Sequence, residues 1–139
     1  MIYKIDKDIL FIRLDDGEKI FESIYEIFEK ENIVSGIVLN GIGMLKDFEI
    51  GWFNISTKKY EKEFISVPHE LITTNGNISL NKNAPFAHLH VALGGPSRSV
   101  IGGHLFNGTV CNTIEMFVKI LNIKLYREEG ETFKPLNFK

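Results

Sequence analysis

The sequence predicts an α+β fold (mixed α/β): an antiparallel-rich β-sheet with one principal helix. Three observations carry that expectation. From Glu18 to about Glu31 the apolar residues Ile20, Phe21, Ile24, Ile27 and Phe28 fall on one helical stripe, with Glu22, Glu26, Glu29 and Lys30 on the other face. No other stretch of the 139 residues has that period. The remainder reads as runs of β-branched and aromatic residues broken by Asn, Gly and Pro. One helix against many strands places the helix over one face of an antiparallel or mixed sheet.

The elements follow in order. Residues 2–6 and 9–14 are expected as two short strands parted by Asp6-Lys7-Asp8. Asp15 and Asp16 offer an N-cap for the helix, and Glu18 sits in its first turn. Ile33–Leu39 is nearly continuous in apolar character, which predicts a central strand buried on both faces. Asn40-Gly41-Ile42-Gly43 gives a turn or bulge. Strands are then expected over 48–55, 60–67, 70–80, 86–93, 100–106 and 110–126, and Thr73-Thr74-Asn75-Gly76 offers a kink within the strand over 70–80. The tail from Arg127 to Lys139, with Gly130 and Pro135, is expected as an edge segment.

Length fits a single domain over residues 1–139 with one core. One cysteine leaves no internal disulfide framework and points to a reduced, cytoplasmic protein. There is no apolar block of signal-peptide type and no stretch near the ~18 uncharged residues of a membrane span, so no membrane partner is expected. A formal charge of −2 argues against a whole-domain footprint for nucleic acid, without removing that partner from consideration. The one local basic cluster, Lys58, Lys59 and Lys62, is interleaved with Glu61 and Glu63 and reads as a solvated strand edge.

Chemistry concentrates in the histidines. In Pro85-Phe86-Ala87-His88-Leu89-His90-Val91-Ala92-Leu93, strand alternation puts His88 and His90 on one face and Leu89, Val91 and Leu93 on the other. A hairpin pivoting on Pro96 sets His104 opposite His88 and Gly102 opposite His90, which brings three imidazoles together from adjacent strands. Three neutral imidazoles form the protein half of a tetrahedral site with one position open to water or a small-molecule ligand. Zinc or another divalent transition metal suits that donor set. His69, beside Pro68, reads as an ordinary surface or turn histidine.

Asn107-Gly108 is the strongest two-residue hairpin signal in the chain. A turn there sets Cys111 opposite His104 and Glu115 on the histidine face. Glu115 is then a candidate to orient a ligating imidazole or act as a base, and Cys111 a fourth ligand or a small core residue. Both assignments depend on no bulge intervening. Phe48, Trp52 and Phe53 are candidates for either subunit contacts or core packing.

The run from Pro85 to Val118 resembles the plants-and-prokaryotes conserved (PPC) domain in its stand-alone prokaryotic form. The pattern is carried by Pro85, Phe86, His88, His90, Gly102, Gly103, His104, Leu105, Thr113 and Glu115, with weaker agreement at Arg13-Leu14, Gly17-Glu18, Gly41-Ile42-Gly43, Glu70-Leu71 and Gly76-Asn77-Ile78. The resemblance implies an antiparallel-rich fold with one main helix, a homotrimer, and a metal, often taken as zinc, on the residues matching His88, His90 and His104. In plants this domain follows AT-hook motifs and mediates protein assembly, and prokaryotic members carry a DNA-binding label by that association. This chain has no Arg-Gly-Arg-Pro core and no basic extension. Three functions are consistent with these residues and this resemblance: a metal site for a small ligand or substrate, a DNA-binding or transcription-associated protein, and an oligomeric protein-interaction module.

Overall fold

A computed structural model describes residues 1–139. β1 (Ile2–Asp6) and β2 (Ile9–Asp15) pair as a tight hairpin, with Lys7 in the left-handed region at φ 56°. β2 alternates strictly, sending Leu10, Ile12 and Leu14 into the core. α1 (Ile20–Lys30) buries Ile20, Ile24, Ile27 and Phe28, as the apolar stripe requires.

The helix begins later than Asp15 and Asp16 predict. Its N-cap is Lys19, which makes no side-chain capping bond. Both aspartates are engaged elsewhere: the Asp16 carboxylate accepts from the Asn112 amide at 2.8 Å, and the Asp15 carboxylate accepts from the Met1 amine at 2.6 Å and from Arg13 Nε at 3.1 Å.

The other strands are β3 (Gly36–Asn54), β4 (Lys59–Ile65), β5 (His69–Asn81), β6 (Ala84–Gly94), β7 (Val100–Ile120), β8 (Leu125–Arg127) and β9 (Leu136–Phe138). All belong to one sheet of order β1-β2-β7-β3-β5-β8-β9, with β4 added to β3. β6 pairs with both β5 and β7, and β3 also pairs with both, so these four strands close a hydrogen-bonded circuit. Most pairings are antiparallel, the exception being β5 with β8. The core lies inside the curled sheet, and α1 packs over β6 and β7. A hydrogen bond from the Ala87 amide to the Tyr25 hydroxyl, at 3.3 Å, ties the helix to β6 one residue before His88. No helix is long and apolar enough to cross a membrane.

Three sequence expectations change. Ile33–Leu39 is not buried on both faces: Val38 is 2% exposed, but Ile37 and Leu39 are 41% and 46% exposed. The stretch 40–43 is the bulge of the two alternatives expected there, with register shifts on either side; what changes is that β3 runs on through residue 54, so the strands expected over 33–39 and 48–55 are one. Asn107-Gly108 forms no hairpin. β7 passes straight through it, Asn107 pairs with Glu49, and neither residue takes the positive φ that a type I′ turn needs. Gly108 is buried against Leu45 and Phe48, so pairing with β3 and core packing override the local turn preference. The C-terminal segment does lie at the sheet edge, as β8 and β9.

Candidate metal centre

His88 and His90 alternate on β6 with the buried Ala87, Leu89 and Val91, so the core fixes which way the imidazoles point. The observed register sets His90 opposite His104, and Gly102 opposite Ala92. This corrects the expected pairing of His88 with His104. The loop is centred on Ser97 rather than Pro96: the Gly95 amide donates to Ser99 O at 3.0 Å, the Arg98 amide to Gly95 O at 2.8 Å, and Arg98 is left-handed at φ 64°. A slip of two positions preserves the face, so the histidines still converge.

Close backbone approach completes the arrangement. Gly103 has φ 156°, and a Cβ there would lie 2.7 Å from Gly51 O on β3. At Gly76 a Cβ would lie 1.9 Å from the His88 carbonyl oxygen, so only glycine lets β5 pass behind that histidine. The buried Thr74 hydroxyl donates to His90 O at 3.0 Å and pins the next step of β6.

The candidate ligand atoms of His88, His90 and His104 all lie within 4.8 Å of one another, with no carboxylate or thiolate in the group. His88 Nε2 and His90 Nε2 are 3.2 Å apart. Nitrogens bound at ~2.0–2.1 Å around a tetrahedral zinc stand about 3.3 Å apart. His104 Nδ1 is buried without a hydrogen-bond partner, the one such side-chain atom in the chain. Three clustered imidazoles, one of them carrying a buried nitrogen with no hydrogen-bond partner, are a donor set that fits a divalent transition metal.

Electrostatics favours the neutral, ligating form. Burial is the main cause that lowers the pKa of His104 to about 4, with the charges of His88 and His90 adding to it. Burial also lowers His88, followed by the positive charge of Arg127.

Beside the imidazoles lies a cavity of about 510 Å³, walled by Phe53, Tyr60, Phe86, Phe106 and Phe133, with Arg127 and Lys134 at its polar side. His104 packs at a tilt against Phe106 and Tyr60, with ring centroids 4.4 and 5.2 Å away. Arg127 lies 5.3 Å from the Phe86 ring and is held by Asn77, Ser79 and the Lys134 carbonyl. Burial lowers its pKa from the usual guanidinium value. Neither Arg127 nor these walls is evident in the sequence. The available signal was one of three arginines in a chain that otherwise uses lysine.

The structure does not bring Glu115 or Cys111 to this cluster within one chain. Because β7 fails to turn back at Asn107-Gly108, each later residue moves away from His104 at about 3.3 Å per step. Glu115 is exposed, pairs across the ladder with Arg13 and Ile42, and lines a separate surface pocket with Glu70, Ile72 and Thr113. Cys111 is half-buried beside Asn112, whose φ of 67° marks a bulge. His69 opens β5, bonds Val67 O at 2.8 Å and meets the Phe48 ring edge to face, apart from the other three. Of the aromatic candidates for subunit contact, Phe48 is core, Phe53 lines the cavity and Trp52 is 63% exposed.

A family model for the Plants and Prokaryotes Conserved (PCC) domain matches residues 2–122. The chain belongs to this family. The PCC match includes all three clustered histidines and stops before Arg127. A plant- and prokaryote-conserved (PPC) protein of Pyrococcus horikoshii is 32% identical, with a TM-score of 0.84 over 97% of this chain and 93% of that one. A protein of Archaeoglobus fulgidus described as metal-containing is 28% identical, with a TM-score of 0.85 over 100% and 99%. A Bacteroides thetaiotaomicron "putative DNA-binding protein" shares the fold at 22% identity, with a TM-score of 0.89 over 99% and 96%. No curated protein matches the chain.

Proposed function

We propose that this PCC-domain protein is a cytoplasmic homotrimer that holds a divalent transition metal, zinc foremost, on His88, His90 and His104. In this reading the adjoining cavity takes a small ligand or substrate at the metal's open position. The observation that carries it is the convergence of three imidazoles, one with a buried, unpartnered nitrogen, two of which line an aromatic cavity. The description of the Archaeoglobus relative as metal-containing supports it.

The chain's own residues have distinct parts. His88 and His104 stay neutral through burial and present lone pairs. The phenylalanines and Tyr60 exclude water from one side of the site. A metal bound there supplies a Lewis acid that polarises an oxygen of the ligand.

Assembly rests on a second feature. Ile37, Leu39, Ile42 and Phe117 stand exposed on the outer side of β3 and β7, with Ile72 exposed on β5. These exposed apolar residues, set among Asn40, Glu115 and Lys119 on the same side, are covered when further copies of the chain associate.

Metal analysis of protein purified without added metal tests the reading. One metal per chain is expected, and its loss in His88→Ala and His104→Ala. Folded protein that contains no metal and takes up none overturns it. The DNA-binding reading draws on the names of two relatives. Retardation that weakens steeply with salt would favour it, and none at low salt would remove it.

A further inference from the structure

Arg127 differs from every other cation around the cavity in having no carboxylate partner. Lys134 pairs with Glu129 at 3.3 Å, and Lys62, above the Phe106 ring, pairs with Glu49 at 3.5 Å. No acidic residue lines the cavity. The guanidinium is nevertheless fixed: Nε donates to Ser79 Oγ at 3.2 Å, Nη1 to Lys134 O at 3.3 Å and Nη2 to Asn77 Oδ1 at 2.6 Å. All three acceptors are neutral, so they orient the charge without cancelling it. One N–H on each terminal nitrogen is left without a protein acceptor. A half-buried guanidinium that is oriented, uncompensated and set against aromatic walls is preorganised for an anion.

We propose that this cavity binds a small organic carboxylate, with the carboxylate on Arg127 and its apolar part against Phe53, Phe86, Phe106 and Phe133. The proposal deepens the reading of the cavity as a ligand pocket and rests on it. One uncompensated cation and a largely apolar wall match a monoanion with a hydrophobic body better than a strongly hydrated dianion such as phosphate. The recognising residue sits on β8, beyond the residues that the family model matches, and Phe133 and Lys134 come from the same C-terminal segment. Ligand selection is thus assigned to this chain's tail, while the histidines lie within the shared domain.

Calorimetric titration of zinc-loaded protein with benzoate, benzamide and inorganic phosphate tests it. Benzoate and benzamide have nearly the same shape and differ in charge. Benzoate is expected to bind about tenfold or more tightly than benzamide, and to weaken by a similar factor in Arg127→Gln at unchanged zinc content. Equal binding of benzoate and benzamide, tighter binding of phosphate, or undiminished benzoate binding in folded Arg127→Gln overturns the proposal. The benzoate–benzamide comparison in the unmodified chain stands even if Arg127→Gln fails to fold. Protein that never takes up zinc but binds benzoate through Arg127 keeps the carboxylate site and removes the metal. Protein that loads zinc and ignores benzoate does the reverse.

Discussion

The Nε2 atoms of His88 and His90 lie 3.2 Å apart, although both side chains leave one strand on the same face. Same-face neighbours on a strand start about 6.6 Å apart at the backbone, so the two rings lean together. His104 closes the group from β7, with its ring centroid 4.9 Å from that of His88 and 5.5 Å from that of His90.

That convergence predicts coupling between metal and stability. A metal that binds the folded state alone raises the melting temperature, and a chelator lowers it again. At a free metal concentration about 100 times Kd the stabilisation is about 2.7 kcal/mol. Thermal denaturation with and without EDTA measures it, and in His88→Ala the chelator should have no effect.

The metal-free protein should lose stability in acid. His104 titrates at about 4 in the folded state, against about 6.5 in an unfolded chain. Between those values the unfolded chain binds more protons, so stability is full above about pH 6.5 and declines as pH falls towards 4. His88 is shifted in the same direction. Melting curves from pH 7.5 to 4.5 on stripped protein test this, and His104→Gln should flatten the profile.

Gly76→Ala should damage both fold and site. Its Cβ would meet His88 O at 1.9 Å, which forces β5 away from β6. A loss of about 2–4 kcal/mol is expected from chemical denaturation. Weaker metal uptake should accompany it, because the strand carrying His88 must shift.

Leu39→Glu should break the proposed homotrimer without unfolding the chain. Leu39 is 46% exposed on the outer side of β3, so its replacement removes nothing from the core. Light scattering coupled to gel filtration should report one chain instead of three, with the circular dichroism spectrum retained.

Much of the fold is legible in the sequence because its periods are local. Ile20, Ile24, Ile27 and Phe28 repeat at helical spacing whatever they pack on, and they are buried. Leu89 and Val91 alternate with His88 and His90, and that alternation alone sets the histidine face. Other features were not legible because they depend on partners distant in sequence. Ile37 and Leu39 read as a doubly buried strand, yet which side of β3 is covered depends on where β5 and β7 fall. Asn107-Gly108 reads as a hairpin, yet a turn preference cannot outweigh a ladder with β3 and the burial of Gly108 against Leu45 and Phe48.

The α+β class, the helix, and the identity and common face of His88, His90 and His104 follow from local pattern alone. Backbone period and side-chain polarity are properties of a segment and survive a two-residue slip in register. The tertiary structure decided that slip, the separation of Glu115 from the histidines, and the placing of Arg127 beside them. Those outcomes are set by pairing between strands, whose free energy comes from ladders and buried area shared by distant parts of the chain.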